Sequence, residues 1–178
     1  MSRVWLITGE DRRRFGLKGP RAAEFLAAQQ LAVPQRANTW STLRAGQDAA
    51  ASELIARLGT SEFFIEESAD ASTIALLEQR LEAGEPGVYP VLREDRALIV
   101  GGAGAPAVLA EVCNIDFAAL MPPQVVMTLM IGVSVLALPQ TVDGQNHFRI
   151  WYDPSFGSYL ESELRHLIEK DHLQGRAQ

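Results

Sequence analysis

Hydrophobic and polar side chains alternate most clearly over residues 147–152, near the C-terminal end of the chain. This period of two is typical of a strand that is buried on one face, and it places Arg149 on the polar face. Asp153-Pro154 ends the pattern, because proline has no N–H to donate to a neighbouring strand, while Asp153 suits the N-cap of a helix. The sequence therefore predicts a strand, a tight turn and a helix that reaches about Lys170. The apolar stripe of that helix comprises Phe156, Tyr159, Leu160, Leu164, Leu167 and Ile168.

Apolar runs in the rest of the chain predict further strands and helices. The predicted strands cover residues 4–8, 15–18, 52–58, 62–66, 88–92, 97–100 and 125–138. The predicted helices cover residues 21–30, 72–83 and 105–113. Asp143-Gly144 is a hairpin signal between the last two strands. Residues 35–47 are polar, and we expect them to be irregular apart from Trp40.

The predicted order of elements, ββαββα, occurs twice, with a joint near residues 84–87. The repeat extends to residue types, because the segment from Gly19 to Leu26 aligns with the segment from Gly102 to Leu109, 83 positions further on. We therefore expect an α+β fold in which residues 1–178 form a single domain of two duplicated halves, about 1–85 and 86–178. From the second strand onward the order is ferredoxin-like, which predicts two mostly antiparallel sheets with the helices outside and one continuous core.

Composition and charge narrow the class of protein. The 178 residues are 47% hydrophobic and 21% charged, which is ordinary for a globular protein, and the net charge of −6 argues against a nucleic-acid surface. We expect the basic run Arg12-Arg13-Arg14 to be a solvated turn. The single cysteine, Cys113, predicts a buried thiol in a reducing compartment. The apolar run 125–138 is too short to span a membrane, and the N-terminus lacks a secretory pattern, so a cytoplasmic location is expected.

The motif most suggestive of chemistry is Gly101-Gly102-Ala103-Gly104, which follows a predicted strand and opens a predicted helix. Such a loop can bind phosphate through backbone N–H groups. The helix is short, however, and no parallel βαβ unit surrounds it, so an ordinary strand-to-helix turn is the favoured interpretation and nucleotide binding the alternative. The three histidines lack metal-ligand spacing, and no nucleophile–base set is evident. We therefore predict neither a metal site nor catalytic residues.

Arg57 and Glu62 flank the turn at Gly59 and are the best-placed polar pair in the chain. The simplest prediction for them is a cross-strand ion pair at the surface. Three aromatic residues could line a pocket for a flat ligand, but packing in the core is the favoured prediction for each. They are Trp40, Trp151 and Tyr159.

Three segments together resemble a known family. The first is Gly16-Leu-Lys-Gly-Pro-Arg-Ala-Ala-Glu-Phe-Leu26, and the second is Ala56-Arg-Leu-Gly-Thr-Ser-Glu-Phe-Phe-Ile-Glu66. The third consists of two stretches, Val112-Cys-Asn-Ile-Asp-Phe117 and Tyr152-Asp-Pro-Ser-Phe-Gly-Ser-Tyr-Leu160. Their order and spacing resemble the gamma subunit of heterotetrameric sarcosine oxidase. That subunit belongs to the folate-binding group that includes the aminomethyltransferase (T-protein) of the glycine cleavage system. The resemblance covers about residues 16–170.

The resemblance implies a small subunit that holds no cofactor and has no active site of its own. The alpha, beta and delta chains of such a complex carry FAD, FMN, NAD and tetrahydrofolate, and they demethylate sarcosine oxidatively to glycine. The family's pterin-binding glutamate lies in a G-E-x-G-aromatic-E pattern, and the matching stretch here keeps Glu62 but not the glycines. Glu62, with Arg57 beside it, is therefore the candidate folate contact. A free-standing folate-binding or aminomethyltransferase-like protein is the alternative.

Overall fold

The structure is a computed structural model that describes residues 4–8, 11–44, 53–142 and 144–174. The chain divides into two compact units, and each has its own sheet. The inserted unit is Asp11–Glu94, and the split unit consists of Met1–Glu10 together with Asp95–Gln178.

The inserted unit contains a five-stranded antiparallel sheet and two helices. Its strands are β2 (Arg12–Lys18), β3 (Thr39–Thr42), β4 (Leu54–Arg57), β5 (Glu62–Ser68) and β6 (Tyr89–Val91), and its helices are α1 (Ala22–Ala28) and α2 (Thr73–Glu82). The strand order is β3-β4-β5-β2-β6. One face of the sheet forms a hydrophobic core with both helices, in which Leu17, Phe63 and Leu26 are fully buried. Successive side chains of β2 and β5 point to opposite faces of the sheet, so the side chains between these core positions lie on the second face.

The split unit has the same architecture. Its strands are β1 (Trp5–Thr8), β7 (Arg96–Gly101), β8 (Val126–Met130), β9 (Val133–Val142) and β10 (Gln145–Tyr152). Its helices are α3 (Ala105–Ala110), a 3₁₀ turn (Pro154–Phe156) and α4 (Gly157–Gln174). The sheet is antiparallel with the order β1-β7-β10-β9-β8. Its core includes Phe148 and Ile150 of β10 together with Leu160 and Leu164 of α4.

The two sheets have matching topologies, which confirms the predicted duplication and the α+β class. The order β6-β2-β5-β4-β3 in one sheet corresponds strand for strand to β1-β7-β10-β9-β8 in the other. The aligned glycines also match, since Gly19 and Gly102 both have positive φ, 131° and 100°, between a strand and a helix. The first strand of each sequence repeat, however, pairs in the sheet of the other repeat: β1 pairs with β7, and β6 pairs with β2.

Three local predictions are wrong. Residues 125–138 form two strands rather than one, because Ile131 and Gly132 adopt positive φ and turn the chain between β8 and β9. Residues 39–42, predicted to be irregular, form β3, which pairs with β4. The run Arg12-Arg13-Arg14 is part of β2 rather than a turn, since its side chains find acidic partners within the inserted unit.

The strand at 147–152 is present as part of β10, but it is buried on both faces. Arg149, predicted to lie on a polar face, is only 3% exposed. The predicted cap is confirmed, since the Ser155 N–H donates to Asp153 Oδ1 at 2.8 Å. The Tyr152 hydroxyl donates to Glu161 Oε1 at 2.7 Å and ties β10 to α4.

Candidate functional site

Charged side chains collect on the second face of the sheet in the inserted unit. Because β2 and β5 alternate, the residues between the core positions point to this face, and Arg93 joins them from the segment after β6. We call this set the polar face. It comprises Arg12, Arg14, Lys18, Glu62, Phe64, Glu66 and Arg93. The polar face holds more basic than acidic side chains, so it has a surplus of positive charge within an acidic protein.

The centre of the polar face is an ion pair between Arg14 and Glu66. These residues are directly opposite each other on β2 and β5. Arg14 Nε donates to Glu66 Oε2 at 2.7 Å, and Arg12 Nε lies 4.0 Å from Glu66 Oε1. Glu66 is fully buried. Burying a carboxylate is costly unless it is paired, so the ion pairs with Arg14 and Arg12 help to stabilise Glu66 in the fold.

A second ion pair lies at the edge of the polar face. Arg93 Nη2 donates to Glu62 Oε1 at 3.0 Å, and the Arg93 guanidinium carbon lies 5.7 Å from the centre of the Phe64 ring. The absence of a side chain at Gly16 permits this approach, because a Cβ there would lie 2.8 Å from Val91 Cβ and 3.1 Å from Arg93 Nε. The glycine therefore allows the segment after β6 to pack closely over β2.

The predicted ion pair between Arg57 and Glu62 does not form, and the strand register explains why. Arg57 is opposite Phe63, so Arg57 and Glu62 project to opposite faces of the sheet. The Arg57 guanidinium lies 5.4 Å from the centre of the Phe63 ring. It also donates to four backbone carbonyls: from Nε to Gly59 at 3.2 Å, from Nη1 to Pro34 at 3.3 Å and Gln35 at 3.0 Å, and from Nη2 to Thr60 at 2.6 Å.

Arg57 also lines an open groove on the inserted unit. The groove has a volume of about 450 Å³. Its other lining residues are Gly19, Pro20, Ala23, Thr60 and Ser61. Since the guanidinium group of Arg57 is engaged by loop carbonyls, its role at the groove is to hold the loops that form the rim. The structure thus places the two candidate folate contacts apart, with Arg57 at this groove and Glu62 on the polar face.

Another acidic residue, Glu67, has a structural role that the sequence did not reveal. Its buried carboxylate accepts the backbone N–H groups of Thr73 at 2.9 Å and Ile74 at 3.0 Å. It therefore caps the N-terminus of α2 from the end of β5, whereas Ser72 at the cap position makes no such bond. Sequence rules look for the cap beside the helix and miss a side chain that comes from a neighbouring strand.

Two carboxylates with shifted pKa values lie in turns rather than on the polar face. The Ser155 hydroxyl, and then its backbone N–H, hold the pKa of Asp153 below its ordinary value. A hydrogen bond from the Ser68 side chain, and then the backbone N–H of Asp70 itself, lower the pKa of Asp70. Both carboxylates are exposed and serve local turn geometry.

The glycine-rich loop has the geometry of a strand-to-helix turn. The Ala105 N–H donates to the Gly102 carbonyl at 2.9 Å, and α3 is only six residues long. The Trp5 ring covers Gly101, where a Cβ would lie 2.1 Å from the Trp5 Cζ2 atom. The favoured interpretation of this loop is thus supported, since an internal acceptor and an indole ring take up the positions that a phosphate would need.

The other candidate residues are mostly buried. Trp40 and Trp151 are buried as predicted, but Tyr159 is 45% exposed, and its hydroxyl donates to the Ile131 carbonyl at 3.4 Å. Cys113 is buried, with its Sγ 3.6 Å from Thr128 Oγ1.

Within the described ranges, no three His, Cys, Asp or Glu side chains cluster as metal ligands would. No helix in the described part of the chain is long and apolar enough to cross a membrane.

Two solved structures of known proteins are similar to this fold. No protein-family model and no curated protein matches the chain. Aminomethyltransferase T of the glycine cleavage system from Bartonella henselae matches 91% of this chain and 45% of its own, with a TM-score of 0.70 and 19% identity. A chain of the heterotetrameric sarcosine oxidase from Corynebacterium sp. U-96, solved with pyrrole 2-carboxylate, matches 94% of this chain and 84% of its own, with a TM-score of 0.74 and 22% identity.

The chain has the fold of these two proteins. This confirms the fold that the sequence resemblance implied. The chain spans less than half the length of the aminomethyltransferase but most of the length of the sarcosine oxidase chain.

Proposed function

We propose that this chain is a gamma-type, non-catalytic structural subunit of a sarcosine-oxidase-like heterotetramer. The observation that carries the proposal is the similarity to the sarcosine oxidase chain, which extends over 94% of this chain and 84% of that chain with a TM-score of 0.74.

The engagement of the acidic side chains supports a structural role. A general acid or base must exchange a proton with a substrate, which requires a carboxyl group that the substrate can reach. Glu66 is buried against Arg14, Glu62 is bound by Arg93, and Glu67 caps α2. These three carboxylates stabilise the fold of the inserted unit.

In the proposed complex, the alpha, beta and delta subunits carry FAD, FMN, NAD and tetrahydrofolate. Those partner chains oxidise sarcosine to glycine and transfer the one-carbon unit to tetrahydrofolate, while this chain holds no cofactor. A cytoplasmic location suits such a complex, and the single, buried cysteine is compatible with a reducing compartment.

Purification from the native cell tests the proposal. An affinity tag on this chain, followed by size exclusion with absorption spectroscopy, should recover larger chains together with a bound flavin spectrum. Mass spectrometry of the co-eluting chains should identify flavoproteins in constant ratio to this chain. Elution of the chain alone, without flavin, would contradict the subunit role.

The similarity to aminomethyltransferase T supports a second candidate, a free-standing folate-binding protein. The two residues nominated by the resemblance do not fit a pterin in their present arrangement. Arg93 binds one oxygen of Glu62, and the guanidinium of Arg57 is bound to loop carbonyls, so a pterin would have to displace these groups. Calorimetric titration with a reduced folate tests this candidate. Saturable heat that is lost in Glu62→Gln would favour it, and no heat at millimolar folate would exclude it.

A further inference from the structure

The groove beside Arg57 combines room for a ligand with an uncompensated positive charge. Its volume of about 450 Å³ is within the range of small-molecule sites, about 300–1,000 Å³. Arg57 is the one charged residue among the described residues that line it. Within the described ranges, every hydrogen-bond partner of Arg57 is a neutral backbone carbonyl, and no carboxylate pairs with it. The charge of the groove therefore favours an anion.

Hydrogen-bond donors remain at the groove after these bonds are made. The Nη2 atom of a guanidinium group carries two N–H groups. In Arg57, Nη2 donates to one acceptor in the described part of the chain, the Thr60 carbonyl at 2.6 Å, which leaves its second N–H group. Thr60 and Ser61 also line the groove, and their hydroxyls make no hydrogen bond to a described residue. The guanidinium and the turn that carries both hydroxyls are thus in direct contact.

Bonds within the fold hold these donors in place. The carbonyls of Gly59 and Thr60 fix the guanidinium from one side, and the Phe63 ring lies 5.4 Å from its carbon. The Gly19 N–H donates to the Ser61 carbonyl at 2.9 Å, which ties the turn to the segment before α1. A ligand that uses the remaining donors breaks none of these bonds, so the site is organised before the ligand arrives.

The rest of the lining is apolar. Pro20 and Ala23 supply its hydrocarbon surface, and Gly19 has no side chain. Ligand sites commonly combine an apolar wall with a few polar groups that fix the orientation. This lining suits an anion that has an apolar part, rather than a fully hydrated inorganic ion.

We propose that the groove binds a small organic oxyanion, a carboxylate or a phosphate ester. Its oxygens accept from Arg57 Nη2 and from the hydroxyls of Thr60 and Ser61, and its apolar part packs against Pro20 and Ala23. The site is distinct from the folate contact that the resemblance nominated, because Glu62 projects to the other face of the sheet. It does not depend on the proposed subunit role, since it consists of residues of this chain alone.

Titration of the full chain with two simple anions tests the site. Benzoate and phenyl phosphate share an apolar ring and differ in the oxyanion, and each is titrated at constant ionic strength with chloride as the balancing anion. Calorimetry measures the affinity, and the amide chemical shifts of Thr60 and Ser61 report the location. We expect saturable binding of at least one anion with shifts at these two residues. The tighter of the two identifies the oxyanion that the groove prefers.

A pair of charge-matched variants makes the outcome specific. Ala23→Glu places a carboxylate in the groove, where it repels the ligand and competes for Arg57, and it should weaken binding about ten-fold or more. Ala27→Glu is the control, because Ala27 is exposed on the same helix and does not line the groove, so this variant should bind like the parent chain. Arg57→Gln is unsuitable as the main variant, since it also removes the bonds to the loop carbonyls.

Thr60→Val gives a second measurement that leaves the charge and the size of the side chain almost unchanged. Loss of one hydroxyl donor should weaken binding about three-fold or more. This variant decides the matter if thermal unfolding shows that Ala23→Glu is not folded. The proposal is overturned if neither anion binds saturably, if folded Ala23→Glu and Ala27→Glu have equal affinity, or if Thr60→Val binds like the parent chain.

Discussion

Arg14 and Glu66 form a buried, directly cross-strand ion pair in which Nε and Oε2 are 2.7 Å apart. Removing the arginine takes the 2.7 Å partner away from a fully buried carboxylate, so Arg14→Met should lower the free energy of unfolding by about 3–5 kcal/mol. Urea denaturation measures this change. The double variant Arg14→Leu/Glu66→Leu should recover most of the loss, because it removes the orphaned charge as well.

A matched control for this pair is Arg21→Met. Arg21 pairs with Glu85 at 3.2 Å, but its side chain is 52% exposed. A solvent-screened pair of this kind contributes less than about 1 kcal/mol. If Arg14→Met and Arg21→Met destabilise the protein equally, the burial of the Arg14–Glu66 pair has no energetic importance.

The cap of α2 gives a second prediction. Glu67→Ala removes the acceptor for the Thr73 and Ile74 N–H groups and should cost about 1–2 kcal/mol of stability. Ser72→Ala should change stability by less than about 0.5 kcal/mol, because the Ser72 side chain makes no capping bond. Thermal unfolding of both variants measures the difference, and a larger loss in Ser72→Ala would show that the cap is assigned to the wrong residue.

The turn before α1 gives a third prediction. Gly19 has a φ of 131°, and a Cβ there would lie 2.2 Å from the Gly87 carbonyl oxygen. Gly19→Ala should therefore cost at least about 1–3 kcal/mol, the usual cost of backbone strain, with the steric clash in addition. Gly59→Ala is the control, since its Cβ would meet only Glu62 Cβ at 4.0 Å. Chemical denaturation should give Gly59→Ala a clearly larger free energy of unfolding than Gly19→Ala.

The cap at the start of the C-terminal helix gives a prediction about pH. The Ser155 hydroxyl and N–H lower the folded-state pKa of Asp153 below its unfolded value. The stabilisation from this carboxylate is thus fully present above the unfolded pKa and is lost as the pH falls through the folded pKa. In Ser155→Ala, NMR titration of the carboxyl carbon should find the Asp153 pKa nearer its ordinary value. An unchanged pKa would mean that the Ser155 hydroxyl is not its main cause.

Local patterns were enough to predict much of the fold. The alternation at 147–152 identified a strand, Asp153-Pro154 identified a capped turn, and the repeat at Gly19 and Gly102 identified two equivalent strand-to-helix loops. These features depend on side chains close in sequence, on proline geometry and on the φ that glycine permits, so they are visible in the sequence itself.

The tertiary structure alone decided which strands and which charges meet. β1 and β6 each pair in the sheet of the other repeat, and no local pattern records that exchange. The register of β4 and β5 places Arg57 opposite Phe63. Glu62 forms its ion pair with Arg93, 31 positions away, and Glu66 forms its ion pair with Arg14, 52 positions away. Periodicity tells which face of a strand a side chain occupies, whereas the partner across the sheet depends on strand order and register, which are set by packing of the whole unit.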